Sequence, residues 1–335
     1  MLISYESDEM LHKITGSIFI GYAVLTAHKI GLFHLLEKES LPIEEIAQRL
    51  NIELRPAQAV LSAAGAFNLV SCNHGYYTLS SIGRLYLSQN SPSYFGDVFD
   101  LYNDQSDQFT LKAIEMAVKT NKPQVYLGEH LFESNKKEEH GRSFTNSMHR
   151  KSYNSAHSWP QYLKTTEQDV LIDIGCGSGV HAISVCQAHP IKAILCDFKE
   201  ILIYALENLK KNKLEDRIIG YPINMWEDPF PEGSIHFYSD IFHDWNPEKC
   251  LFLAKKSYES LKKGGRIILN EMLFNDDKTG PELTAAYNIK MLYWTEGQQF
   301  SKLEIVELLK TAGFGEIEVV NYFGNWSLII GAKCS

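Results

Sequence analysis

Apolar positions recur at helical spacing in the first hundred residues of the chain. They predict helices over Ile14 to His28, Ile43 to Leu50 and Arg55 to Val70. A hairpin is expected over Cys72 to Leu79, with its turn at Asn73 to Gly75. Two helices followed by a hairpin are typical of a winged-helix domain. The first helix is apolar nearly all round, which indicates burial, and a second subunit is one surface that could bury it.

From residue 170 onward, short apolar runs alternate with helical segments, which predicts a mostly parallel sheet with helices on both faces. Ser301 to Glu304 is a capping box that opens a helix ending near Gly313. Only Phe323-Gly324-Asn325 separates the last two strands, so these form an antiparallel hairpin at the sheet edge. The predicted strands are Val170–Ile174, Ala193–Cys196, Ile218–Pro222, Ile235–Ser239, Arg266–Glu271, Glu316–Tyr322 and Trp326–Ala332.

These elements predict an α/β fold in two domains. Residues 1–100 form the mostly helical, winged-helix-like domain, and residues 101–335 carry bridging helices and a Rossmann-like, seven-stranded sheet with a C-terminal antiparallel hairpin. A length of 335 residues is long for one hydrophobic core and natural for two. The contents of 44% hydrophobic and 22% charged residues are ordinary for a soluble globular protein.

Charge argues against nucleic-acid and membrane partners. The formal net charge is -9, so a general attraction to nucleic acid or to an anionic membrane is not expected. The predicted helix from Arg55 to Val70, which would be the recognition helix of a DNA-binding protein, carries a single charge. Phosphate contacts need clustered Lys or Arg, so a winged-helix regulator is the weaker functional hypothesis.

The cysteines and the N-terminus indicate a cytoplasmic setting. The six cysteines form no C-x-x-C pair, which is the pattern of reduced intracellular thiols. The acidic N-terminus lacks the basic segment and apolar core of a signal peptide. The longest apolar run, Ile14 to Ala27, is shorter than a membrane span requires.

A glycine-dense turn follows the strand Val170–Ile174, with Gly175, Gly177 and Gly179 at alternate positions. Alternate glycines let the backbone turn sharply and let a ligand approach it. The spacing differs from the G-x-G-x-x-G fingerprint that seats a pyrophosphate. Asp173 lies two residues before the first glycine, where it repels phosphate but suits the amino and sulfonium groups of S-adenosylmethionine. Methyl transfer is therefore favoured over hydride transfer.

Two further strand ends carry candidate cofactor contacts, because ligands of such sheets bind at the carboxyl ends of the strands. Asp197 closes the second strand and could accept both hydroxyls of a ribose. Asn224 and Met225 follow the third strand, where an amide and a thioether could contact an adenine. A solvated loop aspartate and a methionine in the core are the simpler alternatives for these positions.

The fourth strand ends with Ser239-Asp240-Ile241-Phe242-His243-Asp244-Trp245, and the fifth follows Gly264-Gly265 and ends at Glu271. Together with the winged N-terminal region, this resembles the small-molecule O-methyltransferases typified by plant caffeate methyltransferases, acetylserotonin methyltransferase and bacterial antibiotic-tailoring enzymes. The resemblance covers essentially the whole chain. Its most specific part is the histidine–aspartate–tryptophan triplet between the glycine turn and the Gly-Gly strand.

The resemblance implies an S-adenosylmethionine-dependent O-methyltransferase that acts on a small aromatic or phenolic secondary metabolite and releases S-adenosylhomocysteine. It implies His243 as general base, Glu271 as the acid that orients it, and a homodimer formed through the N-terminal region. It also implies cofactor contacts from Gly175, Asp197, Phe198, Met225, Ser239 and Ser152.

The residue types fit this chemistry on their own terms. A phenol with a pKa near ~10 is a poor nucleophile until a base removes its proton. A neutral imidazole with a pKa near ~6.5 can do so, and a carboxylate on its far nitrogen stabilises the resulting imidazolium. The companion histidines are not at metal-ligand spacing, so no metal is expected. Candidate walls of the acceptor pocket, each of which could instead belong to the core, are Met148, Phe242, Tyr287, Met291 and Trp294.

Three positions depart from the family pattern. Ile223-Asn224-Met225 stands where Gly-Asp-Met is usual, Ser239 where Lys or Arg is frequent, and Gln299 where a second helper acid would lie. Catalysis is therefore expected to rest on His243 and Glu271 alone. The alternatives are a C- or N-methyltransferase, a cyclase that keeps the cofactor as a cation, or a winged-helix regulator that senses it.

Overall fold

The computed structural model describes residues 7–125 and 138–334, and the chain divides into two compact units. The first unit ends at Ser106 and the second begins at Asp107. Each unit has its own cluster of buried apolar side chains. A chain of this length is expected to build two cores rather than one.

The first unit is mostly helical, as predicted, and contains a small antiparallel sheet with the strand order β1-β3-β2. The strands are β1 (Leu41–Pro42), β2 (Val70–Asn73) and β3 (Tyr76–Leu79). The helices are α1 (Glu9–Lys29), α2 (Leu32–Lys38), α3 (Ile43–Leu50), α4 (Leu54–Ala66), α5 (Ser81–Leu87) and α6 (Gly96–Asp104).

The predicted hairpin is present, but the helix before it ends earlier than expected. His74 and Gly75 form the two-residue turn, both with positive φ, as a type I′ turn requires. The helix predicted to reach Val70 ends at Ala66, because Asn68 adopts a left-handed conformation with φ +54°. The Leu69 N–H then bonds the Ala64 carbonyl, which completes a Schellman-type end and releases Val70 into β2.

Helix α1 differs from its prediction in length and in burial. It runs for 21 residues, and only Val24 and Ala27 are buried. It is longer than the apolar run on which the prediction was based, and it is the one helix among the described residues whose length and composition would allow it to cross a membrane. Large apolar side chains that are 58–75% exposed lie along its N-terminal half: Met10, Leu11, Ile14, Ile18 and Phe19.

The second unit contains the predicted seven-stranded sheet, with the order β6-β5-β4-β7-β8-β10-β9. Strands β4 to β8 are parallel, and β10 pairs antiparallel with both β8 and β9. The order reverses beside β4, so the ends of β4 and β7 flank the switch point where ligands of such sheets bind. The strands are β4 (Val170–Ile174), β5 (Lys192–Asp197), β6 (Ile218–Pro222), β7 (Ile235–Ser239), β8 (Arg266–Met272), β9 (Gly315–Phe323) and β10 (Trp326–Ala332).

Helices connect these strands, and 3-10 turns lie at Pro160–Tyr162 and Phe242–Asp244. The predicted capping box is present: the Ser301 hydroxyl accepts from the Glu304 N–H at 3.2 Å, and the Glu304 carboxylate accepts from the Ser301 N–H at 2.8 Å. The helices are α7 (Leu111–Thr120), α8 (Glu138–Ser158), α9 (Val180–Ala188), α10 (Lys199–Asn212), α11 (Pro247–Ser260), α12 (Glu282–Trp294) and α13 (Lys302–Thr311).

The central strands are fixed by burial on both of their faces. Leu171 and Ile172 of β4, Phe237 of β7, and Ile267 and Ile268 of β8 are completely buried. Continuous apolar runs of this kind are characteristic of parallel strands that are covered by helices on both sides. The carboxyl ends of these strands are consequently rigid positions for functional side chains.

Candidate active site

The glycine turn between β4 and α9 depends on the absence of side chains. Gly175, Gly177 and Gly179 have φ of +71°, +52° and +72°, a region that strains other residues. A Cβ on Gly175 would lie 2.4 Å from Cδ1 of Ile241, whereas a Cβ on Gly177 would meet no described atom within 4 Å. The backbone of Gly177 is therefore open to a ligand. The N–H groups of Gly175 and Cys176 both bond the Cys196 carbonyl, which joins the turn to β5.

Two buried carboxylates flank this turn. Burial, reinforced by the charge of Asp197, raises the pKa of Asp173 to about 7, although a bond from the backbone of Ala182 opposes the shift. The Oδ2 atom of Asp173 has no hydrogen-bond partner among the described residues. Burial also raises the pKa of Asp197 to about 6, against bonds at 2.8 Å from the Gly177 and Phe198 N–H groups. An unpartnered buried carboxylate oxygen beside an open backbone fits a cationic ligand.

Ser239 ends β7 within a buried hydrogen-bond network that the sequence did not reveal. The indole N–H of Trp159 donates to His181 Nδ1 at 3.0 Å, so Nε2 of His181 carries the proton towards the Ser239 hydroxyl, 3.0 Å away. Burial lowers the pKa of His181 to about 3, which keeps the ring neutral. The Asn270 amide also donates to Ser239, at 2.9 Å. Since Ser239 accepts twice, its own proton can be donated to a ligand.

The remaining predicted cofactor residues follow β5 and β6 or lie on α8. Phe198 is the N-cap of α10. The Asn224 side chain accepts from the Trp226 N–H at 3.1 Å, and the Met225 carbonyl accepts from the Lys256 ammonium at 2.7 Å. Ser152 is buried on α8. The carboxyl ends of β4, β5, β6 and β7 thus bring every predicted cofactor residue except Ser152 to one edge of the sheet.

His243 lies in the 3-10 turn after β7, and Glu271 lies near the end of the neighbouring strand β8. The two side chains meet, with His243 Nδ1 3.2 Å from Glu271 Oε2. The other oxygen of Glu271 accepts from the backbone N–H groups of Phe242 at 3.0 Å and His243 at 3.4 Å. Glu271 is only 2% exposed, so one buried carboxylate anchors the turn and lies beside the imidazole.

Three further polar groups surround His243, which the sequence-based expectation of a lone His243–Glu271 pair did not include. Asp240 Oδ1 lies 3.6 Å from Nδ1, Asp244 Oδ1 lies 3.7 Å from Nε2, and Gln299 Nε2 lies 3.2 Å from Nδ1. Burial lowers the pKa of His243, but the charges of Glu271, Asp244 and Asp240 outweigh it and raise that pKa to about 9.

Asp240 pairs with a lysine, which brings a positive charge next to the three carboxylates around His243. Its backbone is left-handed at φ +54°, and its Oδ2 lies 3.2 Å from the ammonium of Lys151 on α8. Burial opposes ionisation, but the charges of Lys151 and His243 hold the pKa of Asp240 below its ordinary value. Ligand atoms of Asp240, His243 and Glu271 lie within 4.8 Å of one another, a spacing that a metal ion could bridge. Because Lys151 already compensates Asp240, the absence of a metal remains our prediction.

The candidate acceptor-wall residues fall into two groups. Phe242 is fully buried and packs edge-to-face on Tyr238, with ring centroids 5.3 Å apart, which is a core position. Tyr287, Met291 and Trp294 lie on α12, where Tyr287 is half-buried and the other two are buried. Met148 is half-buried on α8. Phe242 is therefore not a wall residue, and the four remaining candidates lie on α8 and α12.

Comparison with known proteins identifies the family to which this fold belongs. Residues 111–315, more than half of the chain, match the family model of the O-methyltransferase domain. The chain belongs to this family. It is a member of the S-adenosylmethionine-dependent O-methyltransferases, as the sequence motifs predicted.

This methyltransferase resembles its relatives over almost its full length. It is 28% identical to 3-hydroxy-5-methyl-1-naphthoate 3-O-methyltransferase of Streptomyces sahachiroi, covering 93% of this chain and 91% of that one. It is 25% identical to acetylserotonin O-methyltransferase of Gallus gallus, covering 97% of both. The crystal structure of human N-acetylserotonin methyltransferase in complex with S-adenosylmethionine has the same fold, with a TM-score of 0.87 at 22% identity over 100% of both chains.

A substitution at Gly297 tests how strongly the turnover of the methyltransferase depends on the position of the His243 turn. A Cβ at Gly297 would lie 2.0 Å from the His243 carbonyl oxygen and 2.4 Å from the Asp244 carbonyl carbon. We expect Gly297→Ala to displace the turn and lower kcat by about 10²-fold, since misplacement by about 1 Å can cost that much. Cofactor affinity should stay within a few-fold, because the glycine turn is untouched. Initial rates and calorimetric titration measure the two effects.

The matched control is Gly65→Ala in α4, where the nearest atom to the new Cβ is the Val70 carbonyl oxygen at 3.9 Å. This variant should keep the wild-type rate. An unchanged kcat in Gly297→Ala would show that the position of the turn is not critical.

Proposed function

We propose that this methyltransferase methylates a hydroxyl group of a small aromatic metabolite and that His243 is the general base. The contact of 3.2 Å between His243 and Glu271, at the sheet edge that carries the glycine turn, is the observation that supports this most directly. The two relatives compared above act, by name, on 3-hydroxy-5-methyl-1-naphthoate and on acetylserotonin. An aromatic hydroxyl is the acceptor group that needs a base of this kind.

The groups at the strand ends would hold the cofactor. S-Adenosylmethionine supplies, when bound, a methyl group activated by a sulfonium. Asp197 is suited to its ribose hydroxyls, and the unpartnered oxygen of Asp173 is suited to its positive charge. Ser239 donates its free proton, and Gly177 offers open backbone. Phe198, Asn224, Met225 and Ser152 complete the proposed set, together with Gly175.

His243 moves the proton. Nδ1 faces Glu271, so we assign its hydrogen there, with the Gln299 amide turned so that its unpartnered oxygen rather than its nitrogen faces Nδ1. Nε2 is then the nitrogen that accepts the hydroxyl proton of the acceptor. Glu271 stabilises the imidazolium that results, in the way a carboxylate stabilises the histidine of a hydrolase triad. Asp244, 3.7 Å from Nε2, is placed to align the acceptor hydroxyl. General base catalysis of this kind contributes roughly 10²–10⁴-fold.

We further propose that the enzyme is a cytoplasmic homodimer that binds no nucleic acid. The exposed apolar residues Met10, Leu11, Ile14, Ile18 and Phe19 support the dimer, because a contiguous apolar face of this size is rarely left in water. All six cysteines are free thiols, four of them buried, which suits a reducing compartment.

Removing the imidazole tests the base assignment. We expect His243→Ala to lower kcat by at least about 10²-fold while cofactor affinity stays within a few-fold. The assay incubates the protein with labelled methyl donor and a panel of phenols, and reads the methylated products by mass. The control is His157→Ala, at an exposed position of α8. Wild-type turnover in His243→Ala would contradict the assignment.

The raised pKa of His243 predicts a pH dependence. A base works only when neutral, so with a pKa of about 9 the active fraction grows as pH rises and levels off above that value. We expect kcat for a phenol acceptor to increase from pH 6 towards pH 9. Glu271→Gln removes the strongest charge that raises this pKa, so the rising limb should shift to lower pH. A rising limb at unchanged pH would contradict the dependence of the His243 pKa on Glu271. The control is Glu259→Gln, at an exposed position of α11.

The dimer proposal predicts a mass of twice the 38.1 kDa chain in analytical ultracentrifugation. Phe19→Glu, at the most exposed apolar position of the α1 face, should shift the equilibrium towards monomer, because a buried carboxylate is costly. Leu303→Glu on α13, where Leu303 is 63% exposed against 75% for Phe19, is the control and should leave the dimer intact. A wild-type protein that remains monomeric at all concentrations would refute the proposal.

A further inference from the structure

Two lysines stand against the aromatic side chains of α12. The ammonium of Lys290 lies 3.8 Å from the ring centroid of Trp294 and 5.6 Å from that of Tyr287. The ammonium of Lys151, on α8, lies 4.9 Å from the same Tyr287 ring. Both ammonium groups therefore lie near one aromatic ring, and that ring belongs to the proposed wall of the acceptor pocket.

This cation pair is connected to the site of proton transfer. The side chain of Lys151 is only 8% exposed, and its ammonium lies 3.2 Å from Asp240 Oδ2. The other oxygen of Asp240 lies 3.6 Å from His243 Nδ1. One carboxylate therefore separates the first lysine from the imidazole, and both lysines lie near the Tyr287 ring. The charges of Asp240 and Asp244, the two aspartates beside His243, also act on Lys290, so the second lysine lies close to the same group.

Lys151 is paired with Asp240, but a second positive charge at Lys290 has an energetic cost. Burial, together with the charge of Lys151, lowers the pKa of Lys290 to about 7, although Asp244 and Asp240 oppose the shift. Contact with aromatic faces recovers part of this cost. A neutral phenol would add nothing for Lys290, whereas an anionic group on the acceptor would stabilise its charged form and form a charge-assisted hydrogen bond.

We infer, on the basis of the proposed function, that the acceptor is an aromatic hydroxy acid whose carboxylate is bound by Lys290, with Lys151 as the second positive charge, while its hydroxyl lies at His243. The half-buried Tyr287 would contact the aromatic ring between these two ends, and Trp294, stacked on Phe109, would hold Lys290 in place. Lys290 is thus a specificity-determining residue of this chain.

The test compares carboxylates with their neutral amides. The probes are 4-hydroxybenzoate, 4-hydroxycinnamate and 6-hydroxy-2-naphthoate, each paired with its primary amide, titrated calorimetrically into enzyme saturated with S-adenosylhomocysteine. We expect at least one acid to bind about tenfold or more tightly than its amide, as a charge-assisted hydrogen bond allows. Lys290→Met should abolish that preference by weakening the acid alone, and Lys290→Arg should retain most of it.

The exposed Lys302→Met on α13 is the matched control and should keep the wild-type preference. The inference is overturned if no acid in the panel exceeds its amide, or if Lys290→Met keeps the preference while still binding S-adenosylhomocysteine. Failure of the proposed function is distinguishable, because in that case the wild-type protein would not methylate either member of any pair. If the enzyme methylates neutral phenols and shows no preference for acids, the inference about Lys290 is refuted and the proposed function stands.

Discussion

The carboxylate of Glu271 holds the turn after β7 and lies against the His243 imidazole. One of its oxygens accepts from two backbone N–H groups of the turn, and the other lies 3.2 Å from the imidazole. Glu271 is in turn held by β8, which is hydrogen-bonded on both sides, to β7 and to β10. The position of His243 is thus determined by the core of the sheet, and mobility of the surrounding loops need not disturb it.

A balance of charges makes this arrangement tolerable. Asp240, Asp244 and Glu271 lie close to His243, and Lys151 compensates one of them. An additional acid at Gln299, where the family often has one, would place another carboxylate 3–4 Å from the same imidazole. The pKa of His243 would then rise further above neutrality. The neutral amide of Gln299 keeps a contact with the ring and adds no charge that would raise this pKa.

The sequence predicted those features that depend on local pattern. The strands from β4 to β10 follow from apolar runs, and the glycine turn follows from three residues that must adopt positive φ. The end of α4 was predicted too late, although Asn68 after Gly65 is a signal for a left-handed helix end. Lys151, Asp240 and Lys290 could not be grouped in advance, because they lie on separate elements and no spacing relates them. The exposure of α1 depends on the tertiary packing of the first unit, which hydrophobicity alone does not specify.

The glycine turn and α12, the two ends of the proposed site, favour ligand groups of opposite charge. At the glycine turn, burial raises the pKa values of Asp173 and Asp197 to about 7 and about 6, so a positive group beside them is favoured because it stabilises their ionised forms. At α12, burial lowers the pKa of Lys290 to about 7, so a negative group is favoured there for the same reason. His243 lies in the turn that follows β7, with Asp240 and Lys151 next to it. A cationic methyl donor and an anionic acceptor would each relieve the unfavourable burial at its own end, and their reacting groups would meet at the imidazole.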